Sequence, residues 1–201
     1  MKKTILVIDA CVRREESRTK KLLEAALDTV RKEHPDWNLE ILNLMDLDLM
    51  YWKTETLKER DELLAKKEYD APVFKYGNQF READGVIVAA PFWDLSIPAV
   101  LKVYIENISA EGITFGCNEN GLYGLCKAKW LLFLTTRGGI WADSDMEQGS
   151  TYMEALCKFF GIDEYACVYA DGIDVQELDG EEILREAIEE TKGICTLLSC
   201  E

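Results

Sequence analysis

Three observations predict a single α/β domain whose five-stranded parallel sheet is covered by helices on both faces. Five short apolar runs with β-branched residues occupy 4–8, 39–42, 85–90, 130–135 and 166–170. Stretches with helical periodicity separate them, and that alternation builds a parallel sheet buried on both sides. At 201 residues and 48% hydrophobic content the chain supports one substantial core, so 1–201 is read as one domain.

The first helix follows Ser17, carries Leu22, Leu23, Ala26, Leu27 and Val30 on one face, and ends before Pro35. The helix after the third strand begins near Ser96, with Pro98 in its first turn, where a missing N–H costs little. Ser150 or Thr151 is expected to cap the next helix, Glu154 to complete a capping box with Thr151, and Gly161 to end it. The last helix starts near Asp179, with Glu182 three residues on, and carries Ile183, Leu184, Ala187, Ile188 and Ile194. Two pieces exceed the minimal alternation: 45–84, containing MYWKTETLKERDELL, and 111–127, containing GITFGCNENGLYGL. Loops that long in a compact domain are usually functional or interfacial.

With 23 basic and 38 acidic residues the net charge is -15, which repels polyanions and argues against nucleic acid or an anionic membrane as the main partner. No run approaches the roughly 18 apolar residues of a membrane span. The start MKKTILVIDAC turns polar without a signal-peptide cleavage pattern, so the expected location is cytoplasmic. Seven cysteines, with no CxxC pair, read as free thiols. His34 is the only histidine and is expected at the surface, which leaves no zinc site of usual composition and no histidine-dependent triad.

Three loops carry candidate chemistry. VIVAAPFWDLSIP (86–98) ends a buried-type strand in Pro91, Phe92 and Trp93, where a parallel sheet binds ligands; the aromatics either pack on a flat ring or belong to the core. DACVRREESRTKKL lacks both the GxGxxG fingerprint and the P-loop lysine. It offers Ser17, Arg18 and Thr19 at a helix N-terminus, either as a phosphate cradle or as an ordinary cap with solvated arginines. A phosphatase loop built on Cys11 is disfavoured, because the residue after five intervening positions is Ser17 and not arginine. LTTRGGIW supplies Thr136, Arg137 and the Gly138–Gly139 pair, which lets backbone approach a polar ring edge, or else forms a common glycine turn.

Together with GITF, ENG, FFGI and ADGI, these motifs resemble the flavodoxin-like NAD(P)H quinone oxidoreductases, most closely the FMN-dependent NADH azoreductases, over nearly the whole chain. The resemblance implies a flavodoxin-like three-layer sandwich with strand order 2-1-3-4-5, a homodimer, and FMN at the carboxyl edge of the sheet. By position, Ser17, Arg18 and Thr19 would hold the FMN phosphate, with Cys11 nearby. Pro91, Phe92, Trp93, Asp94 and Leu95 would line the isoalloxazine, and Thr136, Arg137, Gly138 and Gly139 its pyrimidine edge. Phe115, Trp141, Tyr51 and Trp52 are candidate walls of the substrate pocket, the last two equally suited to a dimer contact. Two positions depart from the azoreductase pattern: Cys11 stands where serine is typical, and Asp94 where asparagine is usual.

The activity so implied is oxidation of NADH or NADPH and reduction of quinones, azo compounds or nitroaromatics by two-electron hydride transfer in a ping-pong cycle. The flavin N5 carries the hydride, so no catalytic side chain is required. A flavodoxin-type electron carrier is the alternative, favoured by the acidic balance but opposed by the two extra pieces and by a phosphate loop without the T/S-x-T-G-x-T pattern. A scaffold that has lost its cofactor and binds a protein partner is a third.

Overall fold

The computed structural model describes residues 2–200. Strands β1 (Thr4–Asp9), β2 (Asn38–Asn43), β3 (Gly85–Ala89), β6 (Trp130–Thr136) and β7 (Glu164–Ala170) form one parallel sheet in the order β2-β1-β3-β6-β7. Counting only these five strands, that is the 2-1-3-4-5 order expected. The chain moves outward from β1 to β2 and then, after β3, in the opposite direction to β6. The loops leaving β1 and β3 therefore diverge and open a crevice at the carboxyl edge.

Side chains alternate across each strand, and the alternation divides the core in two. Ile5, Val7, Ile87, Leu132 and Leu134 face α1 (Arg18–Glu33) and α6 (Gly180–Leu197). Leu6, Ile8, Val86, Val88, Leu131 and Phe133 face α3 (Lys75–Glu82), α4 (Ala99–Ile108) and α5 (Gly149–Phe160). The apolar stripe predicted for α1 is buried as Leu22, Leu23, Ala26, Leu27 and Val30. Asp179 caps α6 through the N–H groups of Glu181 and Glu182, and Gly161 ends α5 in the left-handed region at φ 77°, a conformation open to glycine without steric cost.

Several expectations are corrected. Helix α4 begins at Ala99, with Pro98 as its N-cap rather than inside its first turn. Neither Ser150 nor Thr151 caps α5: the Glu147 carboxylate takes the N–H groups of Gly149 and Ser150 from two and three residues upstream. Residues 45–84 are not wholly an insertion, because α3 is the crossover helix between β2 and β3 and buries Phe80 in the core. The extra element there is α2 (Thr54–Ala65), whose Leu63 and Leu64 pack on a small cluster of Phe74, Ala110 and Ile113. Residues 111–127 hold an antiparallel hairpin, β4 (Phe115–Asn118) with β5 (Gly121–Gly124). His34 is half-buried, stacked on Trp37 at 3.9 Å and within 3.2 Å of the Cys195 carbonyl.

Candidate functional site

A cleft of about 250 Å³ opens at the carboxyl edge, lined by Arg13, Glu16, Ser17, Arg18, Pro91, Phe92, Trp93, Thr136, Arg137, Gly138 and Asp174. Three loops that are far apart in sequence meet there because β1, β3 and β6 are adjacent. Eight of the residues expected at a site are thereby brought together: Ser17, Arg18, Pro91, Phe92, Trp93, Thr136, Arg137 and Gly138.

One side of the cleft suits an anion. Ser17 is the N-cap of α1 but makes no capping hydrogen bond with its side chain, so the N–H groups of Arg18 and Thr19 retain their donor capacity and their positive partial charge, while that of Lys20 donates to the Ser17 carbonyl. Arg18 Nη2 lies 2.7 Å from Asp174 Oδ1, both side chains about half exposed. Thr19 is fully buried, and its hydroxyl is 2.7 Å from that of Thr136, so it ties α1 to the end of β6 instead of facing the cleft.

Behind this loop Asp9 accepts a hydrogen bond from the Cys11 N–H at 3.0 Å and from Lys20 at 2.6 Å. Burial opposes the charge on Lys20, but its hydrogen bond and proximity to Asp9 outweigh that and raise its pKa. Cys11 itself is 2% exposed and directs its thiol at the Ala89 carbonyl. Burial, reinforced by the Asp9 charge, pushes its pKa strongly up, so it stands behind the cleft as an inert thiol.

The other side is flat and apolar. Phe92 and Trp93 lie in the loop that leaves β3, Trp93 is 39% exposed, and the Trp141 ring stands 5.8 Å from that of Phe92. Asp94 and Leu95 occupy the tip of a two-residue turn closed by paired hydrogen bonds between Trp93 and Ser96. Both have positive φ, 49° and 67°, the type I′ geometry that normally takes Asn-Gly. Neither residue lines the cleft itself; the turn brackets it, anchored by the Leu95 carbonyl to the N–H of Gln148.

Arg137 departs most from expectation. Its side chain is 1% exposed, lies 3.3 Å from Glu147 and 3.6 Å from Asp171, and sits over the Tyr169 and Phe92 rings at 4.5 and 5.6 Å. The guanidinium is therefore enclosed at the cleft wall, balanced by charge more than by hydrogen bonds: its Nε and Nη1 have no hydrogen-bond partner. Asp171 also accepts the N–H groups of Trp141 and Ala142, so the loop from β6 to α5 is built around this one cation. Gly138 does border the cleft, and a Cβ there would lie 2.6 Å from Asp174 Oδ2. Gly139 is outside the lining, packed against Trp141.

The remaining wall candidates lie elsewhere in this chain. Phe115 packs on Phe159 at 4.5 Å. Trp52 donates to the Glu106 carbonyl and stacks under Arg60 beside a separate surface groove, and Tyr51 is 62% exposed. The lining also includes Arg13 and Glu16 of the loop after β1, and sequence reasoning missed Asp174 beside them and the Glu147 and Asp171 carboxylates behind. Among the described residues no cluster of His, Cys, Asp or Glu is placed to hold a metal ion.

These features define a class: a flavodoxin-like α/β protein with a cleft at the point where its strand order reverses, bordered by Ser17 and Arg18 at one end and by aromatic rings at the other. The chain belongs to the flavodoxin-like fold family, whose pattern matches residues 3–193. It is 34% identical over 192 residues to the FMN-dependent NADH:quinone oxidoreductase of Clostridium beijerinckii, covering 94% of this chain and 96% of that one. A second such enzyme, from Clostridium acetobutylicum, is 35% identical over 179 residues, 88% of this chain and 89% of its own. The crystal structure of an azoreductase from Bacillus anthracis superposes with a TM-score of 0.88 at 28% identity, covering 98% of this chain and all of that one.

Proposed function

We propose that this chain is an FMN-dependent oxidoreductase that takes reducing equivalents from NADH or NADPH and passes them to quinones, azo compounds or nitroaromatics. The observation that carries the reading is one cleft with Ser17 and Arg18 at a helix N-terminus on one side and Phe92 and Trp93 on the other. A phosphate monoester matches the first pair and a flat ring the second. The names of the relatives, which are FMN-dependent NADH:quinone oxidoreductases, support the same conclusion.

Ser17, Arg18 and the first-turn amides of α1 would hold the FMN phosphate. Pro91, Phe92 and Trp93 would border the isoalloxazine, and Thr136 with the backbone of 137–139 its polar edge. Bound there, FMN supplies two-electron redox chemistry, with hydride exchanged at N5. The protein contributes placement and field: Phe92 and Trp93 exclude water from one side, and Arg137, on the cleft wall, holds the 137–148 loop in shape through Glu147 and Asp171.

Nicotinamide donor and aromatic acceptor would use the same open side of the cleft in turn, giving ping-pong kinetics. A homodimer is part of the proposal, supported by the apolar surface at Tyr51, Leu122 and Tyr123, which are 62%, 64% and 45% exposed. Cytoplasmic residence accords with seven free thiols.

The test is an absorbance spectrum of the protein with added FMN, followed anaerobically on adding NADH and then NADPH. Bound flavin that bleaches directly is expected, and the faster nucleotide is the donor. Bound flavin that stays oxidised would favour the electron carrier, and absence of binding would remove the site.

A further inference from the structure

Asp174 enters the cleft from the turn that follows β7, and three observations fix it there. Its N–H donates to the Gly138 carbonyl at 2.9 Å, and the turn itself is closed by the Val175 N–H on Gly172. One carboxylate oxygen lies 2.7 Å from Arg18 Nη2. The other lies over Gly138, in the space that a Cβ would occupy. This carboxylate is thus held against Arg18, the cleft-lining cation on the α1 N-terminus, where a phosphate monoester would seek the same guanidinium.

We propose that Asp174 is the resident counter-ion of the phosphate end of the cleft: it holds Arg18 across the mouth and must yield it to an incoming phosphomonoester, so that it weakens retention of the cofactor through its phosphate alone. The inference rests on the FMN reading above. A carboxylate and a phosphate compete for the same planar fork of donors, and a half-exposed ion pair is weak enough to be displaced. Asp174 is accordingly a positioning residue that acts through Arg18. Its ion pair is with Arg18, and Phe92 and Trp93, which border the isoalloxazine, carry no charge for it to act on.

The experiment compares the dissociation constants of FMN and of riboflavin, which has the ring but no phosphate, by quenching of flavin fluorescence. Asp174→Asn keeps the size of the side chain and removes its charge; it is expected to tighten FMN by up to about fivefold, the upper end of the range of an exposed ion pair, and to leave riboflavin unchanged. Asp174→Ala is expected to do the same and guards against a residual amide contact with Arg18. In an Arg18→Gln background the gain from Asp174→Asn is expected to shrink. Unchanged FMN affinity, equal tightening of FMN and riboflavin, or an undiminished gain without Arg18 would each overturn the inference while the FMN reading stands. Failure of the unmodified protein to bind FMN would remove the FMN reading and the inference with it.

Discussion

Arg137 Nη2 lies 3.3 Å from Glu147 Oε1, and both side chains are almost wholly buried. The same carboxylate takes the N–H groups of Gly149 and Ser150 and the Ser150 hydroxyl. Glu147 therefore balances a buried cation and caps α5 at once. Glu147→Ala leaves Arg137 with Asp171 alone and two helix donors unmet, and is expected to cost about 3 kcal/mol. The urea midpoint of the flavin-free protein measures it, and a loss below about 1 kcal/mol would show that Asp171 carries the charge unaided.

The turn at Asp94 and Leu95 stores strain, because a leucine at φ 67° brings its Cβ against the backbone. Leu95 is 40% exposed, so little packing is lost on removing it. Leu95→Gly is expected to raise stability by about 1 kcal/mol, seen as a higher thermal midpoint without ligand. Unchanged or lower stability would mean that the leucine side chain makes contacts worth more than the strain.

Gly124 in β5 is seated directly on the end of α5, where a Cβ would fall 2.0 Å from backbone atoms of Phe160 and Gly161. Backbone cannot step aside as a side-chain tip can. Gly124→Ala is expected to cost about 3 kcal/mol and to deprotect the amides of the 115–124 hairpin in hydrogen exchange while the five-stranded sheet stays protected. Loss of protection throughout the sheet would show the hairpin to be integral to the core.

Of the seven cysteines only Cys117 is exposed. Burial pushes Cys126, Cys157 and Cys195 up to about 12 and Cys167 up to about 11. One thiol per native chain is expected to react readily with Ellman's reagent at pH 8, and all seven after unfolding. The same shifts set a pH dependence. Unfolded thiols ionise from about pH 8.5 while the folded ones stay protonated, so stability is full below that pH and falls as pH rises toward 11–12. A urea midpoint that held steady from pH 8 to 10 would contradict this.

The parallel sheet was legible because each strand is a short apolar run, and α1 because its stripe recurs at helical spacing. The β4–β5 hairpin was not, since its four-residue strands contain Gly116, Gly121 and Gly124 and offer little alternation. The α5 cap was misplaced because Glu147 acts from outside the helix, where no S/T-x-x-E spacing points to it. In the cleft, the loops that end strands could be found by their aromatics and glycines. Asp171 and Asp174 could not, because nothing local separates them from the other acidic residues of a chain with 38. The partners of Arg137 were illegible for a related reason: arginine is almost never fully buried without one, and Glu147 and Asp171 lie 10 and 34 positions away.

The hydroxyls of Thr19 and Thr136, 2.7 Å apart, have two hydrogens between them and need only one for their mutual bond. The spare hydrogen makes the pair a two-way rotor on the cleft wall. An acceptor atom placed against the Thr136 hydroxyl would take that residue's hydrogen, and Thr19 would then donate to Thr136. A donor atom placed there is accepted by Thr136, whose own hydrogen turns to Thr19. One point on the wall could thus meet a polar group of either kind, with only hydrogens changing place.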